Sequence, residues 1–118
     1  VGEGIVDLIE NGKINSPEMM SLLSLYLKPM IDANIDYLVL GCTHYPYLMP
    51  LLIDMPPKNV KIIDSGEAVA KQTKAILEQN NLLNTTPTET KNEFFTNGNV
   101  VVLDDILNHN FNVSYLKF

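Results

Sequence analysis

The densest run of reactive side chains in this sequence is Gly41-Cys42-Thr43-His44-Tyr45-Pro46, which holds the chain's single cysteine. A thiol reacts as its thiolate, and cationic neighbours or a helix N-terminus favour that form, so Cys42 is a candidate base or nucleophile. His44, two residues on, is placed to assist its proton transfers, and Thr43 offers a hydroxyl and a backbone N–H to an anion. The same residues also admit a structural role, with Cys42 a small apolar group at a strand end and His44 a hydrogen-bonded imidazole. A zinc site would need more ligands than Cys42, His44 and the distant His109 supply, so no metal is expected. Asp64-Ser65-Gly66 could receive an anion at a helix N-terminus, although a helix cap and tight turn is the simpler role. Tyr45 and Pro46 are expected to shape the loop, and His109 lies in a predicted surface turn with no role assigned.

These side chains need elements to hold them. Ile5, Leu8 and Ile9 share one helical face between Gly4 and Asn11, and Gly12 suits the left-handed turn that ends a helix. Ser16-Pro17-Glu18 is a helix start, with Ser as cap, Pro at the first position and Glu complementing the dipole. The spacing predicts a helix over Pro17 to Ala33 whose apolar residues run most of the way round, which implies burial on more than one side. Pro29 is expected to kink or interrupt it. Tyr37 to Leu40 and Val60 to Ile63 read as strands buried on both faces of a parallel sheet. Ser65 is expected to cap a helix reaching about Asn80, with its apolar face on Val69, Ala70, Thr73, Ile76 and Leu77. Beyond a polar linker, Asn84 to Lys91, come a strand at Glu93 to Thr96, a helix near Val100 to Leu107 and a strand near Val113 to Leu116. Strands alternating with helices predict an α/β fold with a mainly parallel sheet flanked by helices. The Cys-Thr-His run then stands at the carboxyl end of a strand, where open parallel sheets bind ligands.

Composition narrows the partners. The chain has 118 residues, 8 basic against 14 acidic groups, a formal net charge of -6 and 46% hydrophobic residues. That apolar fraction excludes a disordered tail, and no apolar run reaches the roughly 18 residues of a membrane span. The basic residues are scattered singly, which leaves no footprint for nucleic acid. One cysteine cannot form an intrachain disulfide, so a reducing, cytoplasmic setting is expected. No signal peptide is visible, and the chain starts at Val1 without an initiator Met, as a cut end would.

The string Leu38-Val39-Leu40-Gly41-Cys42-Thr43-His44-Tyr45-Pro46 resembles the second cysteine motif of the glutamate racemases, within the aspartate/glutamate racemase superfamily. Ile9-Glu10 upstream, Ile63-Asp64-Ser65-Gly66 downstream and the closing strand–helix–strand follow in family order. The resemblance covers this whole chain but only about the C-terminal half of the usual family length. The N-terminal Asp-Ser-Gly loop and the Cys-Asn-Thr motif with the other catalytic cysteine are absent, and Val1-Gly2-Glu3-Gly4 departs from the more common Cys-Pro lead-in. The resemblance implies interconversion of L- and D-glutamate without a cofactor or metal, by two thiols on opposite faces of the α-carbon, supplying D-glutamate for peptidoglycan. It implies that Cys42 is the acid/base of one face, that His44 and Glu10 assist it, and that Thr43 binds the substrate's α-carboxylate. It further implies a two-lobed fold, with residues 1–64 in one lobe and 65–118 returning to the other, most of which is absent from this chain. The missing N-terminal half is thus an expected partner, and a homodimer is another way to cover the apolar surface left open. A racemase for aspartate or another amino acid, and a non-catalytic fragment or binding module of the same fold, remain alternatives.

Overall fold

The computed structural model describes residues 2–86, 89 and 91–118. Val1 and part of the predicted Asn84 to Lys91 linker lie outside the described residues. Helix α1 (Ile5–Glu10) starts after Gly4, whose φ of 83° is left-handed, and turns off at Gly12, φ 69°. Helix α2 (Pro17–Asp32) is capped by the Ser16 hydroxyl, which accepts the Met19 N–H at 3.1 Å. It runs through Pro29 without interruption. Pro29 sits in the last turn, and the carbonyl its ring deprives belongs to Leu25, which is 66% exposed and open to water.

The core gathers Ile5 and Ile9 of α1, Met19, Leu23 and Leu27 of α2, Leu38 and Leu40 of strand β1 (Tyr37–Leu40), and Leu48 and Leu52. Leu48 ends a 3-10 turn (Tyr45–Leu48) and Leu52 ends the short helix α3 (Met49–Leu52). Each such side chain stabilises the fold by about 1.5–3 kcal/mol through burial alone. Two expectations are corrected here. The buried residues of α2 form one stripe with a spacing of four, so the helix is buried on one side, with Met20 and Leu25 outside it. Strand β1 alternates, with Leu38 and Leu40 buried but Val39 66% exposed, so in this chain only one of its faces is covered.

Strand β1 pairs in parallel with β2 (Lys61–Asp64), Leu40 opposite Asp64. Helix α4 (Gly66–Gln79) follows. Ser65 precedes it but does not cap it through its side chain, because its φ and ψ of -91° and -5° are already helical where a capping serine needs an extended backbone. Asp64 supplies the acceptor instead, its Oδ1 taking the Gly66 N–H at 2.8 Å. No residue of α4 is buried, and Val69, on its predicted apolar face, is 59% exposed. Strand β3 (Glu93–Thr96), helix α5 (Val100–Ile106) and strand β4 (Asn112–Tyr115) form a second parallel pair, Phe94 opposite Val113. The class is α/β as predicted, with the described strands in two two-stranded parallel sheets where one sheet was expected.

Candidate active site

The site forms where β1 ends. The Tyr45 N–H donates to the Cys42 carbonyl at 3.1 Å and closes a turn with Thr43 and His44 at its two central positions. Pro46 fits the opening of the 3-10 turn that follows, and buried Leu48 anchors that turn to the core. Helix α1 approaches from the other side. Ile9, wholly buried, fixes its last turn, and the next residue, Glu10, projects toward the turn at Cys42–Tyr45.

The result is a chain of contacts centred on His44. Glu10 Oε1 lies 3.1 Å from His44 Nε2, and His44 Nδ1 lies 4.0 Å from Cys42 Sγ and 3.4 Å from Thr43 Oγ1. An ionised Glu10 can only accept, so the neutral imidazole carries its proton on Nε2 and turns the Nδ1 lone pair to the thiol and the Thr43 hydroxyl. In that tautomer His44 can take the Cys42 proton, and the Glu10 carboxylate balances the imidazolium that forms. Cys42 is half-buried and Thr43 exposed, so both remain accessible to a small molecule. The four residues singled out from the sequence, Cys42, Thr43, His44 and Glu10, are therefore brought together.

Two cavities flank the array. One of about 420 Å³ lies on the thiol side, walled by Ile5, Tyr26, Leu38, Val39, Cys42 and Tyr45 among others. The second, about 370 Å³, lies on the carboxylate side, between Glu10, His44 and Tyr47 and the turn from Thr96 to Asn99. That second wall escaped sequence reasoning, although Thr96–Asn99 also stands at the carboxyl end of a parallel strand and the rule that singled out Gly41–Pro46 covers it equally. Asp64-Ser65-Gly66 is accounted for as a turn by the Asp64 to Gly66 bond. His109 is an exposed turn residue paired with Asp104 at 2.7 Å. Among the described residues, no three His, Cys, Asp or Glu side chains are grouped as a metal ion would require, and no helix is long and apolar enough to cross a membrane.

Fold and site together define an α/β chain that presents a thiol, an imidazole and a carboxylate in succession at the carboxyl end of a parallel strand. Among known proteins, no family model matches the chain. Curated relatives do. It is 50% identical over 80 residues to the glutamate racemase of Pseudomonas putida strain F1, an alignment covering 68% of this chain and 30% of the relative. It is 43% identical over 104 residues to that of P. putida strain GB-1, covering 88% and 39%, and 40% identical over 95 residues to that of Herpetosiphon aurantiacus, covering 80% and 37%. The crystal structure of a glutamate racemase isoform from Bacillus anthracis superposes with a TM-score of 0.74 at 27% identity, over 97% of this chain and 44% of that one. The chain is therefore similar in sequence and in fold to a segment of the glutamate racemases, as the resemblance at Leu38–Pro46 predicts, and it spans about a third of the length of the curated relatives it matches.

Proposed function

We propose that this chain supplies one face of a cofactor-independent glutamate racemase, with Cys42 as the acid/base of that face. The observation that carries the reading is the Glu10–His44–Cys42 array at the end of β1, in a chain similar to glutamate racemases. Inversion at an α-carbon removes a proton from one face and returns one to the other, which two opposed bases do directly. Toward L-glutamate the Cys42 thiolate takes the α-proton, and a second thiol protonates the resulting carbanion from the opposite face. In the reverse direction Cys42 donates, and no net proton is consumed. His44 exchanges the proton with Cys42, Glu10 stabilises the charged imidazole, and Thr43 holds the α-carboxylate. The second thiol comes from an N-terminal half, since Cys42 is the sole cysteine here. In that assembly residues 1–64 belong to one lobe and 65–118 return toward the other, and the product serves cytoplasmic peptidoglycan synthesis.

The test is to incubate L-glutamate in deuterated buffer with the complete polypeptide that carries this chain, and separately with the chain alone, following optical rotation and the α-proton signal together. The complete protein should produce D-glutamate with solvent deuterium at the α-carbon. The chain alone should not racemise, because one thiol cannot serve both faces and the open site neither excludes water nor holds both carboxylates. Turnover by the chain alone at the rate of the complete protein would refute the two-thiol reading.

A further inference from the structure

The dipeptide His44-Tyr45 grips helix α1 at both ends. At the C-terminal end His44 Nε2 meets Glu10 Oε1 at 3.1 Å. At the N-terminal end the Tyr45 phenol occupies the space beside Gly2: a β-carbon built on Gly2 would clash with the Tyr45 hydroxyl and stand 3.0 Å from its Cζ. Six helical residues rise about 9 Å, so the two grips bracket the whole helix. The lead-in is tied down around this contact. The Tyr26 hydroxyl donates to the Glu3 carbonyl at 3.0 Å, and the Ile5 N–H donates to the Gly2 carbonyl at 3.2 Å. Gly2 itself has φ +104°, which a side chain tolerates poorly. Tyr45 is bound in turn to the thiol's own turn through its N–H to the Cys42 carbonyl. Burial first, then the neighbouring Cys42 and Tyr26, raise the Tyr45 pKa above 10.0, so the phenol packs there as a neutral group.

We propose that Tyr45 is a positioning residue for the Glu10–His44–Cys42 array: seated on Gly2, it fixes where α1 starts, and thereby how far Glu10 reaches onto the imidazole that faces the thiol. The inference rests on the proton-transfer reading of that array. Helix α1 is only six residues long and is held by two buried isoleucines, Ile5 and Ile9. Without the phenol at its start it can turn about those two side chains, and the exposed Glu10 at its far end swings away from His44 first.

The experiment uses the complete polypeptide that carries this chain, with iodoacetamide alkylation read at Cys42 by peptide mass. The pH–rate profile of alkylation is recorded for the wild type, Tyr45→Leu, Tyr45→Phe, His44→Asn and the doubles with His44→Asn. Tyr45→Leu should slow alkylation at pH 7 roughly threefold or more and remove the imidazole-dependent limb, as His44→Asn does, because the thiolate is the reacting form. In the His44→Asn background the same change should have no further effect, and Tyr45→Phe should fall between Tyr45→Leu and the wild type. Unfolding of Gly2→Ala is measured in the wild-type and the Tyr45→Phe backgrounds. The backbone strain at Gly2 is common to both and cancels, so Gly2→Ala should cost more in the wild type, where the new methyl meets the Tyr45 hydroxyl. If Tyr45→Leu does not fold, Tyr45→Phe decides in the same comparison. The proposal falls if His44→Asn changes the profile while the Tyr45 variants match the wild type, or if their effect is equally large without His44. It falls also if Gly2→Ala costs the same in both backgrounds. A profile unchanged by His44→Asn removes the thiol–imidazole coupling itself, and the proposed function with it.

Discussion

Cys42 and Leu40 lie two residues apart at the end of one strand, and the structure predicts opposite outcomes when each is cut to alanine. Cys42→Ala removes one sulfur from a half-buried position that borders a cavity already present, so little new void forms. Its cost to stability should be about 1 kcal/mol, near the centre of the range for single substitutions. Leu40 is 5% exposed and packed in the core, and Leu40→Ala removes three carbons there, which costs about 2–5 kcal/mol. Activity should invert that order. On the proposed role, losing the acid/base of one face costs about 10²–10⁴-fold in rate, some 3–5 kcal/mol of barrier at about 1.36 kcal/mol per tenfold. Leu40→Ala should keep most of its activity per folded molecule. The assay pairs polarimetry on L- and D-glutamate with urea unfolding of the same complete-protein preparations. Cys42→Ala racemising within about tenfold of wild type would refute the acid/base role. Cys42→Ala as destabilised as Leu40→Ala would show that the thiol is a packing residue.

Two further outcomes test the local structure. Asp64→Ala should destabilise the chain by about 1 kcal/mol, the usual cost of losing a helix-start acceptor, while Ser65→Ala should be nearly neutral, because only Asp64 accepts a backbone N–H there; chemical unfolding of both variants decides. His109 should titrate above 6.5 by NMR, raised first by its hydrogen bond to Asp104 and then by the charges of Asp104 and Asp105, and Asp104→Asn should bring it back. Since the folded-state value is the higher one, the stabilisation is fully present below pH 6.5 and is lost as pH rises through the folded value, so the two proteins should converge in stability on the alkaline side.

What the sequence made legible, and what it hid, follows from the range of each interaction. The Ser16 cap and the left-handed Gly12 are local, and both stand where the pattern puts them. The Cys-Thr-His run could be placed at a strand end because Tyr37–Leu40 is a compact apolar run stopped by glycine. The same run misled about burial, since four apolar residues in a row read as a two-faced strand whether or not a second layer covers Val39. The segment Tyr45–Leu52, where Tyr45 and Pro46 were expected only to shape a loop, is a 3-10 turn and a short helix, and Pro46 and Pro50 each stand where a first turn tolerates proline. Pairing of Glu10 with His44, 34 residues apart, has no signature in spacing at all, and Glu10 entered only through the resemblance.

The exposed face of β1 and the chemistry of Cys42 are one question. Val39 points away from the core with two-thirds of its surface open, yet it shares a cavity wall with Gly41 and Cys42. Whatever lies against the Val39 face therefore also lies over the thiol. On the proposed reading the N-terminal half does both. Covering Val39, and Ile63 on the paired strand, contributes about 25 cal/mol for each Å² of apolar surface removed from water, which helps hold the halves together. The same closure takes water from the thiol side of His44, where a lower local dielectric strengthens the pull of the imidazolium on the thiolate and of Glu10 on the imidazolium. Glu10 and His44 border a separate cavity past Tyr47 and the Thr96–Asn99 turn, so on the same reading a proton received by His44 leaves through Glu10 on the side away from the thiol.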